Sequence, residues 1–438
     1  MPANVFLTVD GRGASAAAAM AVIVAGLVGC GLSTPAVAGD WPQILGPGRN
    51  GVAAADERLA DRWPDGGPRV VWRRPVGAGH AGVAVAGRRV VLFHREGGRE
   101  IIESLDAATG RAAWTDSHPT TFSPQVGGGD GPLCVPVIHG DRVIVFGAQG
   151  VLACLDAADG KRLWSRQTHR EFNAPEGYFG AGSSPVVVGD GDAAVVIVNV
   201  GGARDEAGIV AFSLADGRTV WRKTSEPASY SSPVAVTVGG EPHVLMVTRF
   251  ACLLLDPFTG AIRWQFPFGQ RGPTVNAASP LVIGGNRLLV TASYGIGSVC
   301  AGFDRAGFTT AWEGADSLAT QYCTPIERDG RLYAIDGRDD LPPTALKCID
   351  AGSGRVVWSE ENFGYGTLLL ADGKLVVAKT DGELLLVRPD PTGLSVLSRA
   401  RVLDGTVRAL PALANGRLYV RDDRALACLD LAARPAAE

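Results

Sequence analysis

One phrase of ten residues recurs along this chain with little change. It reads LDAATGRAAW at 105–114, LDAADGKRLW at 155–164, FSLADGRTVW at 212–221, LDPFTGAIRW at 255–264 and IDAGSGRVVW at 349–358. In each copy the Gly and the Trp stand four apart. A repeat at a period of 20–50 residues means stacked copies of one unit, and it overrides the two or three domains that length alone suggests. With Trp72 and Trp312 added, the repeat Trp are spaced 42 to 57 residues apart, room for four short strands and their turns.

The second unit shows the grammar of those strands: CVPVIHGD, RVIVFGAQG, VLACLD and KRLW. These are β-rich pieces separated by Gly-Asp, Gly and Asp-Gly turns, a meander of hairpins. The repeat Gly (110, 160, 217, 260, 307 and 354) suits a turn position with positive φ. Each Trp then emerges on one fixed side of the last strand, where a large aromatic can pack on the next unit. A Pro fills the first strand at 136, 185, 233, 280, 325 and 411, with Val83 and Leu368 in the remaining copies. Pro is tolerated on a sheet edge, because a missing N–H there breaks no ladder. The pattern therefore predicts Pro at an inner edge and Trp at an outer one, in a radial array.

Eight units can be counted. The seventh puts Leu397 in the Trp slot, and the eighth, ALPALANGRLYVRDDRALACLDL, stops one strand short. The segment RVVWRRPV around Trp72 is an orphan strand at the other end of the chain. Pairing the two closes the ring and removes exposed edges. The expected fold is all-β: an eight-bladed β-propeller of four-stranded antiparallel blades, closed by the N-terminal strand joining the last blade. The expected organisation is an export signal over 1–39, an irregular Pro/Gly-rich leader over 40–69, the propeller over 70–431 and a tail over 432–438. Trp41 and Trp63 fall in the leader, outside the repeats, and Trp41 is expected to be less tightly packed than the repeat Trp.

The run ASAAAAMAVIVAGLVGCGL reads as a secretory h-region. Leu27-Val28-Gly29-Cys30 resembles a lipobox, with Cys30 as the lipid-bearing residue, while Ala36-Val37-Ala38 fits ordinary cleavage before Gly39. Both exits place the protein in the periplasm or cell envelope, with membrane association only through an N-terminal lipid. The net charge of −4 is spread along the chain without a basic run, which argues against nucleic acid. Cys134, Cys154, Cys252, Cys300, Cys323, Cys348 and Cys428 form no C-x-x-C, and three of them share a slot with Ser104 and Ala211. That slot is a small-residue packing position. The six His lack metal-ligand spacing, so no metal is expected.

The phrase D-A-x-[TD]-G-[KR]-x-x-W resembles the pyrroloquinoline-quinone (PQQ) type propeller repeat, shared by quinoprotein dehydrogenases and BamB-like envelope propellers. For an enzyme, the resemblance implies PQQ held between a Trp and a vicinal disulfide, beside a Ca²⁺ bound by Glu, Asn and Asp. This chain has no Cys-Cys pair, and its Trp are taken by the repeat and the leader. A G-x-S-x-G elbow is also missing from any strand-turn-helix setting, and no helix is expected. The expectation is therefore a non-catalytic binding or scaffolding module without cofactor, and the alternative is a PQQ-dependent alcohol or sugar dehydrogenase with PQQ and Ca²⁺. Three residues before the Pro slot stand His80, Leu133, Gly182, Tyr230, Ala277, Tyr322, Tyr365 and Arg408 in blade order. His80, Tyr230, Tyr322, Tyr365 and Arg408 are the candidate recognition arc, since Tyr and Arg give rigid area with a hydrogen-bonding tip. The longest connection, 165–183, supplies Asn173, Tyr178 and Phe179 as a candidate wall. The expected partner is an envelope protein, a peptide or a saccharide.

Overall fold

The computed structural model describes residues 39–433. The expected export signal, both cleavage sites and Cys30 lie outside the described residues. Eight four-stranded antiparallel sheets follow one another along the chain, at 84–119, 137–167, 186–223, 234–267, 281–314, 326–361, 366–401 and 412–430. The last sheet takes its fourth strand from Arg69–Pro75 (β1), which pairs antiparallel with Ala425–Asp430 and sets Trp72 opposite Cys428. The eight-bladed propeller and its shared closing blade are as the repeats predict. First strands of neighbouring blades touch one another around the axis.

The repeat phrase acts between blades. Each repeat Trp donates its indole N–H to a backbone carbonyl in the next blade's turn: Trp72 to Ala107 at 3.0 Å, Trp114 to Ala157 at 3.0 Å, Trp221 to Pro257 at 2.8 Å. The indoles of Trp164, Trp264, Trp312 and Trp358 do the same toward Leu214, Asp304, Ala351 and Asp390. The Gly earns its place twice in that contact. Gly110 has a φ of +68°, and a Cβ built there would sit 2.7 Å from the Trp72 ring. Gly307 is the exception: its φ is not positive, nothing lies near it, and its Trp stands five residues on.

The shared Cys/Ser/Ala slot also acquires a reason. Cys154 faces Trp164, Cys348 faces Trp358, Ser104 faces Trp114 and Ala211 faces Trp221 across the outer strand pair. A β-bulge follows at each of these positions, so a small side chain sits where the strand kinks beneath an indole. All seven described Cys are buried and unpaired. Burial pushes their thiols up, to about 12 for Cys154 and Cys323 and about 11 for Cys300 and Cys428. A folded value above the unfolded one contributes stability that is complete below the unfolded thiol value of about 8.5 and lost as pH rises through the folded values. Arg49 and Arg421, lowered by burial to about 9 and about 10, and Arg249, also lowered, work in the opposite sense at high pH, but they are three groups against seven. The melting temperature should therefore hold level from about pH 7 to about pH 8.5 and fall beyond it. In parallel, a thiol reagent at neutral pH should label these Cys only after denaturant is added; rapid labelling of any of the seven in the native protein would contradict their burial.

The leader differs from its expected role. Trp41 is 2% exposed and exchanges two backbone hydrogen bonds with Val85 of the first blade, both 2.8 Å. Ile138 of the second blade donates to the Pro42 carbonyl, and Leu370 of the seventh donates to the Gly51 carbonyl. Arg49, 2% exposed, donates to the carbonyls of Pro185 and Pro233 in blades three and four, and to Gln43 Oε1 at 2.8 Å. Glu57 and Trp63 then tie the chain to blades eight and seven through Asn415, Gly416 and Ser398. The leader is thus irregular in conformation but packed, and Trp41 belongs among the largest fully buried side chains. The expectation of a weakly packed Trp41 fails because a segment that pairs with inner strands buries its aromatics without needing a repeat.

The expectation of no helix also needs correcting. The long connection between the second and third blades holds one turn of α-helix, Thr168–Phe172 (α1), and a 3₁₀ turn follows at Gly191–Ala193. No helix among the described residues is long and apolar enough to cross a membrane.

Candidate functional site: the mouth opposite the leader

The arc residues precede the inner strands, at the end of the axis away from the leader. The structure gathers them but does not leave them equally free. Tyr365 is 4% exposed, with its ring 4.6 Å from that of Tyr322. Its hydroxyl accepts from the backbone N–H groups of Tyr322 at 2.8 Å and Cys323 at 3.1 Å, and meets Thr320 Oγ1 at 3.0 Å. Tyr365 is a pin that sets the neighbouring turn, and it cannot meet a partner. Tyr322 is half-buried, and its hydroxyl is buried without a hydrogen-bond partner.

Arg408 donates its Nε–H to Asp339 Oδ2 at 2.8 Å and keeps about a third of its side chain exposed. A guanidinium at this position needs a carboxylate, solvent or a ligand, and here Asp339 supplies the carboxylate. His80 Nε2 lies 2.8 Å from the Gly128 carbonyl. Burial, followed by the charge of Arg408, holds His80 below the ordinary histidine range, so it is neutral at pH 7. Tyr230 accepts the backbone N–H of Phe179 at 3.0 Å on its hydroxyl, and its ring meets Phe179 edge-on at 5.7 Å. The small residue at Gly182 now has a reason, since a Cβ there would stand 2.4 Å from the Tyr230 ring.

The connection 165–183 is a fixed wall. Asn173 adopts φ 51°, ends α1 as its left-handed cap and is exposed to solvent. Arg166 Nε bonds the Glu171 carboxylate at 3.0 Å, and Gln149 Nε2 donates to Glu176 Oε1 at 2.7 Å. Gln125 donates its backbone N–H to the Tyr178 carbonyl. The loop thereby closes the arc: Phe179 lies against Gly128, which His80 already holds. Of the sequence candidates, His80, Arg408, Tyr322, Tyr230, Tyr178 and Phe179 surround this mouth.

Between the loop and the third to fifth blades lies a cavity of about 130 Å³ lined by Tyr178, Tyr230, His169, Asn199, Arg249 and Asn276, among others. The last four are absent from the sequence candidates. Their signal was present in part: VVIVNV and TVNAASP each place an Asn inside an otherwise apolar or small-residue run, and a buried Asn demands hydrogen-bond partners.

Nothing at this mouth fits the quinone and calcium that the repeat family's enzymes hold. Among the described residues no group of three or more His, Cys, Asp or Glu is placed to bind a metal ion. The cysteines are buried and separate, and the repeat Trp indoles are committed to contacts between blades. At the leader's end the guanidinium of Arg49 bonds the Pro185 and Pro233 carbonyls, a cation where a divalent ion would want several oxygen ligands.

A family profile described as outer membrane protein assembly factor BamB matches residues 52–205 and 205–339. The outer membrane protein assembly factor BamB of Yersinia pestis is 25% identical over 318 residues, 70% of this chain and 76% of that protein. Its counterpart in Salmonella typhimurium is 26% identical over 313 residues, 69% and 76% of the two chains. Among solved structures, BamB from Moraxella catarrhalis aligns with a TM-score of 0.59 at 17% identity, over 83% of this chain and 99% of that one. A europium-containing methanol dehydrogenase aligns with a TM-score of 0.60 at 13% identity, over 87% and 89%. At such identities the structural likenesses speak for the propeller alone.

Proposed function

Since the chain belongs to the family of the outer membrane protein assembly factor BamB, we propose that it is an exported, non-catalytic scaffold of the cell envelope that serves outer membrane protein assembly. The observation that carries this reading is the contrast between the two ends of the axis. One end is closed by the chain's own leader, with Arg49 bonded to the Pro185 and Pro233 carbonyls. The other presents Tyr178, on a wall braced by side-chain hydrogen bonds, and the part-exposed Arg408 held by Asp339. Rigid aromatic and Arg groups at a protein surface favour protein partners, because little conformational entropy is lost on binding. Export places this surface in the periplasm, and a lipid on Cys30 would hold it at a membrane.

The alternative, a PQQ-dependent dehydrogenase, draws support only from shared fold, and the groups around the mouth do not suit it. The scaffold reading is tested by disrupting the gene in the native host and quantifying its outer membrane proteins. Their amounts should fall, recover with the wild-type gene, and recover incompletely with a Tyr178→Ser/Arg408→Gln double variant that folds normally. Unchanged outer membrane proteins in the disrupted strain would overturn the assembly role.

A further inference from the structure

We propose that the cavity beneath Tyr178 and Tyr230 is a ligand site for a small organic carboxylate that bears an N–H donor beside the acid group, an α-amino carboxylate. This site goes beyond the scaffold reading and does not rest on it.

Four of the ten described side-chain atoms that are buried without a hydrogen-bond partner belong to residues lining this one cavity: Asn199 Oδ1, Asn276 Oδ1, Arg249 Nη1 and His169 Nδ1. Such clustering is unusual, because buried polar groups are nearly always satisfied by protein, water or ligand. Asn199 and Asn276 are 2% and 1% exposed. Their orientation is fixed by the other end of each amide. Asn276 Nδ2 donates to the carbonyls of Thr248 at 3.0 Å and Arg249 at 3.1 Å, and Asn199 Nδ2 donates to Ser229 Oγ at 3.3 Å. Each Oδ1 is therefore the end turned away from the backbone, and each is an acceptor waiting for a donor.

Arg249 contributes the opposite demand. Its Nη2 donates to the Gly272 carbonyl at 2.7 Å and its guanidinium lies 5.5 Å from the Phe250 ring centre, but no carboxylate pairs with it among the described residues. A partly buried guanidinium with a free Nη1 favours an anionic acceptor, and a carboxylate matches its planar fork. His169 is held by burial at about 4, so its ring is neutral at pH 7 and does not compete for the anion. Glu176, at the cavity rim, is engaged by Gln149 and adds a negative edge that suits an ammonium or amide N–H. Two acceptors, one cation and a cavity of about 130 Å³, below the ~300–1,000 Å³ of ordinary ligand pockets, describe one residue's worth of ligand. A free amino acid and the carboxyl-terminal residue of a peptide share this chemistry.

The test titrates the purified full chain with four probes by ligand-observed NMR: L-alanine, N-acetyl-L-alanine, L-alaninamide and propionate. L-alanine or N-acetyl-L-alanine should bind saturably at one site, and the preference between them tells a free amino acid from a peptide end. L-alaninamide, without the acid, and propionate, without the donor, should bind about tenfold more weakly or less. Arg249→Gln should weaken the preferred probe by a similar factor with unchanged melting, whereas Arg271→Gln, whose guanidinium also lies by Phe250 but outside the cavity lining, should leave it unchanged. Absence of binding by both acid probes at millimolar concentration, equal binding of L-alaninamide, or insensitivity to Arg249→Gln would each overturn the proposal. So would saturable binding of methyl α-D-glucoside in place of the acids, which would make the cavity a saccharide site.

Discussion

Trp72→Ala should destabilise the protein by about 3–5 kcal/mol, the range for truncating a buried aromatic. The residue sits in β1, so its loss acts at the one junction among the described residues where two distant parts of the chain share a sheet. Three contacts go at once: the indole hydrogen bond to Ala107 O at 3.0 Å, the ring seated on Gly110, and the aromatic contact with Tyr419 at 5.9 Å. In the seventh blade the position that a Trp holds elsewhere is taken by Ser398, opposite Leu386, and not by Leu397 as the sequence suggested, which lies at the bulge beside it. No indole bond is made there, and Leu397→Ala should cost clearly less. Urea melts of the two variants decide the matter. A Trp72→Ala protein as stable as Leu397→Ala would mean that the closing strand is not held by the repeat's own grammar.

Truncation should give a still larger effect. A chain that starts at Gly77 lacks β1 and the leader, leaving Ala425–Asp430 as a bare edge and uncovering the inner strands that Trp41 and Arg49 close. Exposed apolar edge strands pair with other chains, so this product should aggregate or melt without cooperativity. A chain that starts at Gly39 keeps every contact described here and should melt like the full-length protein. A third, starting at Arg69, keeps the ring but loses the leader's bonds to blades one, two, three, four, seven and eight. It should fold with reduced stability, between the other two. A cooperative, fully stable product starting at Gly77 would refute both the shared blade and the leader's role.

The ring and its closure could be read from the repeats because equivalent positions recur and can be registered on one another. Trp72 gave itself away as a repeat Trp without the preceding three strands. What the Gly and Trp share was only half legible. Their sequence spacing suggested a turn, whereas Gly110 also makes room for the indole of the preceding blade. The leader was misjudged because it occurs once: no second copy marks Arg49 as buried, and Arg is ordinarily a solvent-facing residue. Tyr365 is buried and turned inward, a direction that was not legible, since a loop position lacks the alternation that fixes facing in a strand. Asn199, Arg249 and Asn276 occupy non-equivalent positions on neighbouring blades, so no register of the repeats brings them together. Only the three-dimensional fold does so.

The central claim is that this propeller is a platform and not a quinone enzyme. It is tested most directly by adding PQQ and Ca²⁺ to the purified protein and following both binding and dye-linked oxidation of alcohols and aldoses. The account predicts neither stoichiometric quinone binding nor turnover, because the cysteines are buried and apart and the Arg49 guanidinium takes the Pro185 and Pro233 carbonyls. Stoichiometric binding of the quinone accompanied by substrate oxidation would contradict it.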